Sequence, residues 1–131
     1  MKYLTEKIII ILLFICMMTF ADTYSISSDE IDMRKIYWGN SSNFKTPAEV
    51  DYEKILYATS EYKSIKKGKI EKGTAKYWIL ISKANDHAVR VIIETGEEAI
   101  YDLIAAKEYL GGLDPPIKCK DITKLILKKL E

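Results

Sequence analysis

Residues 50–65, VDYEKILYATSEYKSI, are the stretch on which the fold turns. Val50 closes the short apolar segment Ala48-Glu49-Val50, which follows Pro47 and is long enough for one short strand. Asp51 then supplies a helix start, because its carboxylate can accept from the free amides of the next turn, and good helix formers follow in YEKIL. Ser60 offers a second cap inside the same run, with Glu61 suited to the positive helix end. A strand therefore passes directly into helix, and the outgoing helix is expected from about Tyr52 to Lys67, roughly 24 Å at 1.5 Å per residue.

Gly68 and Gly73 bracket KIEK, and each would cost about 1 kcal/mol inside a helix relative to alanine, so a turn is expected there. Thr74 caps the return helix, which carries the clearest periodicity in the chain. Ile70, Thr74, Tyr77, Ile81, Ala84, Ala88, Val91 and Thr95 follow steps of four and three, the spacing that keeps one stripe against a neighbouring helix. Small Ala84 and Ala88 let that neighbour approach, and Trp78 and Ile92 widen the stripe. The result is a helical hairpin over about residues 52–97. Gly96 is expected to end or loosen the return helix.

Ala99 to Ala106 reads as a strand, with Tyr101, Leu103 and Ala105 on one side and Ile100, Asp102, Ile104 and Ala106 on the other. Asp102 is the one polar position on its side. It is expected as a surface strand residue of structural role, whose replacement by asparagine changes stability by about 0.5 kcal/mol or less. Gly111-Gly112 and Asp114-Pro115-Pro116 make a rigid loop. Asp121 then caps ITKLILKKL, whose Ile122, Leu125, Ile126 and Leu130 form a helical face, while Lys128 and Lys129 suit the negative helix end. The fold class is α+β: a helical hairpin inserted between short strands of a small β body, with a C-terminal helix.

Upstream, residues 1–21 read as a signal peptide. Lys2 and Lys7 give the positive end, Ile8 to Phe20 is apolar apart from Thr19, and Thr19-Phe20-Ala21 places cleavage after Ala21. That run is shorter than the ~20 apolar residues needed to span a bilayer, so no membrane span is expected in the mature chain. Ile15 stands where a lipobox needs a small residue, which argues against lipidation of Cys16. Residues 22–47 are rich in Ser, Asn and Gly around one aromatic knot, Ile36-Tyr37-Trp38, and read as a polar, mobile N-terminal arm. The remaining 48–131 form the folded domain.

Taking residues 1–21 away removes two lysines and one glutamate, from 20 basic and 19 acidic side chains to 18 of each. A neutral mature chain lacks the electrostatic footprint of a nucleic-acid binder. Cys119 is then the lone thiol and closes no internal disulfide, so core packing or partner subunits must hold the fold. An inter-subunit pairing of Cys119 stays open.

Motifs for chemistry are missing. His87, the sole histidine, has no partners at metal-ligand spacing and no nucleophile to serve. Ser82 has no glycine elbow, and the glycines fit neither phosphate-loop pattern. Asn40-Ser41-Ser42 is formally a glycosylation sequon, relevant only to a eukaryotic secretory route. Glu97-Glu98 reads as a solvated helix end. No catalytic residue, metal ligand or cofactor site is expected, and the chain is read as a non-enzyme.

The order of leader, strand ending in VD, helical hairpin, strand YDLI (101–104), loop and capped terminal helix DITKLILKKL (121–130) resembles the Skp/OmpH family of periplasmic chaperones, over about two-thirds of the mature chain. The resemblance implies a periplasmic homotrimer whose strands build a small body and whose hairpins hold unfolded outer-membrane proteins without ATP. Val50 and Leu103 would lie in body strands, Ile122 and Leu125 in the helix closing the body, and Tyr62 and Trp78 would offer the client surface. The chain departs from the pattern in its much shorter hairpin and balanced charge, where the family's arms are typically basic. The alternative function is a non-catalytic envelope adaptor bridging components through its N-terminal arm.

Overall fold

The computed structural model describes residues 22–131; the expected leader, residues 1–21, lies outside them. The described chain is α+β. Strands β1 (Ile36–Gly39), β2 (Pro47–Val50), β3 (Leu103–Ala106) and β4 (Lys120–Asp121) form one sheet in the order β1-β3-β2-β4. β3 runs antiparallel to β1 and parallel to β2, and β2 runs parallel to β4. Helices α1 (Tyr52–Ala58), α2 (Ser60–Lys67) and α3 (Ala75–Glu98) lie between β2 and β3 in the chain, and α4 (Thr123–Lys129) follows β4.

All four residues of β3 are buried because both faces of the sheet are covered. Ile104 faces the helices and joins Ala48, Val50, Ile55, Ala88, Val91, Ile92, Ile122 and Ile126 in one cluster. Leu103 and Ala105 face the other way, onto Ile26, Phe44, Leu110 and Ile117. The parallel register, Ala48 opposite Ile104 and Glu49 opposite Ala105, brings like faces together.

Asp51 caps α1 by accepting from the Lys54 amide at 3.3 Å, and Thr74 caps α3 by accepting from the Tyr77 amide at 3.2 Å. The outgoing helix is interrupted where the sequence suggested one run with a cap at Ser60. The cap is Thr59, fully buried, whose hydroxyl accepts from the Tyr62 amide and donates to the Leu56 carbonyl at 2.7 Å. Satisfying both helix ends with one hydroxyl allows this break inside the core.

Three further expectations change. The segment read as a mobile polar arm is docked: Tyr24 pairs with Phe44, Ile26 and Phe44 are buried, and the aromatic knot is strand β1. The β1–β3 register shifts between Ile36 and Trp38, a bulge that lets the adjacent Tyr37 and Trp38 both pack on the helix side. The strand expected at 99–106 starts only at Leu103, because α3 runs through Gly96 to Glu98. Gly96 is there for space: a Cβ on it would lie 2.3 Å from the Trp38 ring. In α4, Leu125 is 43% exposed instead of closing the body; Ile122 and Ile126, four residues apart, take the inward line, and Leu125 is rotated off it.

Candidate functional site

Asp102 is architecture, of a kind the alternating-strand reading did not foresee. It precedes β3, and its two carboxylate oxygens accept from the Lys45 amide at 2.7 Å and the Thr46 amide at 2.8 Å. The Asp102 amide donates back to the Thr46 carbonyl at 3.2 Å, and the Thr46 hydroxyl donates to the Ile100 carbonyl at 2.6 Å. These bonds fix the entry into β2 against the entry into β3, so the acid aligns the two central strands.

The other chemistry-bearing side chains are similarly occupied. His87 Nδ1 lies 2.8 Å from Glu61 Oε2 and ties α3 to α2. Burial opposes ionisation of Glu61, but hydrogen bonds from His87, its own backbone and Ser60 outweigh it and hold the carboxyl below its ordinary range. Burial, then the nearby Glu49 carboxylate 3.5 Å away, pushes the Cys119 thiol up to about 12, which keeps it protonated and a poor nucleophile. Glu49 also accepts from the Glu108 amide at 3.0 Å, anchoring the loop after β3. Among the described residues no cluster of three or more His, Cys, Asp or Glu side chains is placed to hold a metal ion.

What remains is surface. Every buried residue of α3 lies between Ala84 and Gly96; the half nearer the turn, Ala75 to Lys83, buries none. There Trp78 is 53% exposed and Ile79 56%. Trp78 makes an edge-on contact with Tyr77, ring centroids 5.2 Å apart. Tyr57, at the end of α1, is 42% exposed and meets the Tyr62 ring of α2 at a tilt, centroids 4.6 Å apart, with the Lys66 ammonium 5.6 Å from the Tyr62 ring. The Tyr57 hydroxyl donates to Glu53, which pushes its pKa up to about 12. The break at Thr59 sets these two tyrosines side by side. Tyr62 and Trp78, the two side chains singled out in the sequence, thus belong to separate aromatic pairs on α2 and α3. Of the body residues, Val50 and Ile122 share the helix-side cluster, Leu103 lies on the opposite face of the sheet, and Leu125 is exposed.

A second feature escaped the sequence reading. An open groove of about 840 Å³ runs between the second half of α3, with Asp86, Val89 and Ile93, and a wall of Tyr37 and Tyr52. The two tyrosine rings stack at 5.6 Å, and the Tyr52 hydroxyl bonds Asn85. Its signal was present in the sequence: Ile79, Asp86 and Ile93 repeat every seven residues on the side of α3 away from the buried stripe. No helix among the described residues is long and apolar enough to cross a membrane. No protein-family model, curated protein or solved structure matches this chain.

Proposed function

We propose that this chain is an exported, ATP-independent holdase of the Skp/OmpH type, in which α1–α3 form a short helical-hairpin arm that shields apolar segments of unfolded envelope proteins in the periplasm. The observation that carries this reading is the apolar display on the helices: Trp78 and Ile79 near the turn and Tyr57 at the α1–α2 break stand in solvent while the same helices pack a closed core farther along. Tyrosine and tryptophan grip varied apolar segments while keeping a polar tip in water, which suits a binder of many sequences. The order strand, paired helices, parallel strand and terminal helix supports the same reading, and self-association as a homotrimer belongs to it. The adaptor alternative rested on a free polar arm, and the docked positions of Phe44 and β1 give it no support.

The test is stoichiometric suppression of aggregation of an unfolded outer-membrane protein, without ATP. Tyr62→Ser with Trp78→Ser should abolish most suppression while leaving the circular dichroism spectrum and assembly mass unchanged. Loss of assembly together with suppression would instead make these side chains part of the packing and remove the surface from consideration.

A further inference from the structure

Helix α3 carries its charges in an order that its own backbone opposes. A helix dipole is positive at the N-terminus, where acids stabilise, and negative at the C-terminus, where bases do. In α3 the first turn holds no acid and the last turn no base. Lys72 and Lys76 flank its start and Lys83 follows, whereas Asp86, Glu94, Glu97 and Glu98 crowd its second half, with Arg90 the one exception. Around the preceding turn the bias grows: residues 63–76 hold six lysines and one glutamate, all exposed. The sequence keeps an arrangement that disfavours the isolated helix, and a local rule broken in this way points to a requirement outside the helix.

The face that carries these charges is also apolar at regular intervals and only partly covered. Ile79, Asp86 and Ile93 stand on one line, with Val89 beside them. Among the described residues Lys76, Lys83, Asp86, Arg90, Glu94 and Glu97 form no salt bridge. The groove of about 840 Å³ beside residues 85–97 has room for about two turns of a helix about 10 Å across.

We propose that a second copy of this chain lies across this face with its α3 antiparallel, so that residues 75–87 of each copy seat in the groove beside residues 85–97 of the other. With Asp86 at the two-fold centre, Ile79 meets the partner's Ile93 in both halves of the contact. Lys76 meets the partner's Glu94 and Glu97, and Arg90 meets the partner's Asp86, which neutralises the two central carboxylates. Antiparallel alignment opposes the two macrodipoles, so the charge order that is unfavourable within one helix becomes favourable between two. An isologous contact of this kind requires a surface complementary to itself, in charge and in apolar spacing, which a client segment would not demand. A strip about 30 Å long sits at the low end of specific interfaces, so the pairing is weak, reversible and salt-sensitive. It goes beyond the holdase reading; the groove's second wall is edge strand β1, so the two-fold contact leaves the β4 edge of the sheet for any trimer closed through the body.

The experiment is a reciprocal charge swap read by sedimentation velocity on the purified chain over a concentration series at low and physiological salt. Glu94→Lys with Glu97→Lys, and separately Lys76→Glu, should each weaken the two-fold association by about a hundredfold, because each places like charges opposite each other in both halves. An equimolar mixture of the two variants should restore it to within about threefold, since both halves of the mixed contact again join opposite charges. Circular dichroism confirms that each variant is folded. Association unchanged in both variants, or lost in both and not restored by mixing, overturns the proposal. So does a chain that is monomeric at every concentration, which would leave the groove to a different partner, or one that is trimeric with no even-numbered species. Aggregation suppression is measured in parallel at concentrations below the two-fold association, where Ile79 is uncovered; its failure there bears on the holdase reading alone.

Discussion

The two halves of α3 are built of similar residues and live in different surroundings. From Ala84 onward the helix buries Ala84, Ala88, Val91, Ile92, Thr95 and Gly96 against the sheet and α1; from Ala75 to Lys83 it buries nothing and shows Trp78 and Ile79 to solvent. The inward apolar side chains of the first region are held by neighbours on every side, and none of the second region is fully covered. Helical periodicity alone therefore does not separate packing from display, and the neighbouring layer decides. The sharpest way to break this contrast is a pair of truncations. Ile92→Ala, at a fully buried site, should cost about 2–5 kcal/mol, whereas Ile79→Ala should stay within about 0.5 kcal/mol. Urea unfolding of both variants measures it; comparable losses would mean that the turn half is packed after all.

The body half also depends on polar alignment, where the expected effect is smaller. Asp102→Ala leaves the Lys45 and Thr46 amides without their carboxylate acceptors and should cost about 1–3 kcal/mol, with the partial exposure of the site drawing the value toward the lower end. Asp102→Asn, which keeps one oxygen, should cost about half as much. A change below about 0.5 kcal/mol for the alanine variant, in the range of ordinary surface substitutions, would return Asp102 to the role first expected of it.

What the sequence made legible is what local chemistry controls. Asp51 and Thr74 cap helices as read, the turn falls between Gly68 and Gly73, and the inward stripe of α3 from Ala84 to Thr95 is buried. The misplacements have tertiary causes. Gly96 breaks a helix by propensity but sits inside one, because Trp38 from an edge strand fills the space a side chain would occupy. Ile36-Tyr37-Trp38 looked like a knot in a polar arm because a four-residue edge strand has too short a period to read. Helix α4 starts at Thr123, one residue later than expected, with Ile122 in the cap position and Asp121 accepting from the Thr123 amide at 2.9 Å. The groove beside Val89 and Ile93 needs β1 as its second wall, so only its α3 side was visible in the chain.

Gly96 gives a smaller and more discriminating test of that account. Gly96→Ala should gain about 1 kcal/mol in helix propensity and lose about 1–3 kcal/mol by forcing the Trp38 ring to move. The expected net is a loss of about 1 kcal/mol. In a Trp38→Leu background the same substitution should become neutral or stabilising, since the obstructing ring is gone. Equal effects in both backgrounds would show that Trp38 does not explain the glycine.

The smallest expected effect concerns the contact that joins α2 to α3 between the packed and displayed halves. Glu61 is held below its ordinary range because, although burial raises it, the hydrogen bonds from His87, its own backbone and Ser60 prevail. A carboxyl whose pKa is lower folded than unfolded contributes stability that is present above the unfolded value and is lost as pH falls through the folded one. The contribution is therefore intact above about pH 4.5, the ordinary value for such a carboxyl, and fades below it. Because both side chains are about a quarter exposed, screening limits it to a few tenths of a kcal/mol. Subtracting the unfolding free energy of Glu61→Gln from that of the parent chain at a series of pH values isolates it. The difference should favour the parent at neutral pH and shrink as the solution is taken from about pH 5 to pH 3. A difference that stays level over that interval would mean that Glu61 contributes nothing to the junction as a charge, and that α2 is held to α3 by the apolar seam alone.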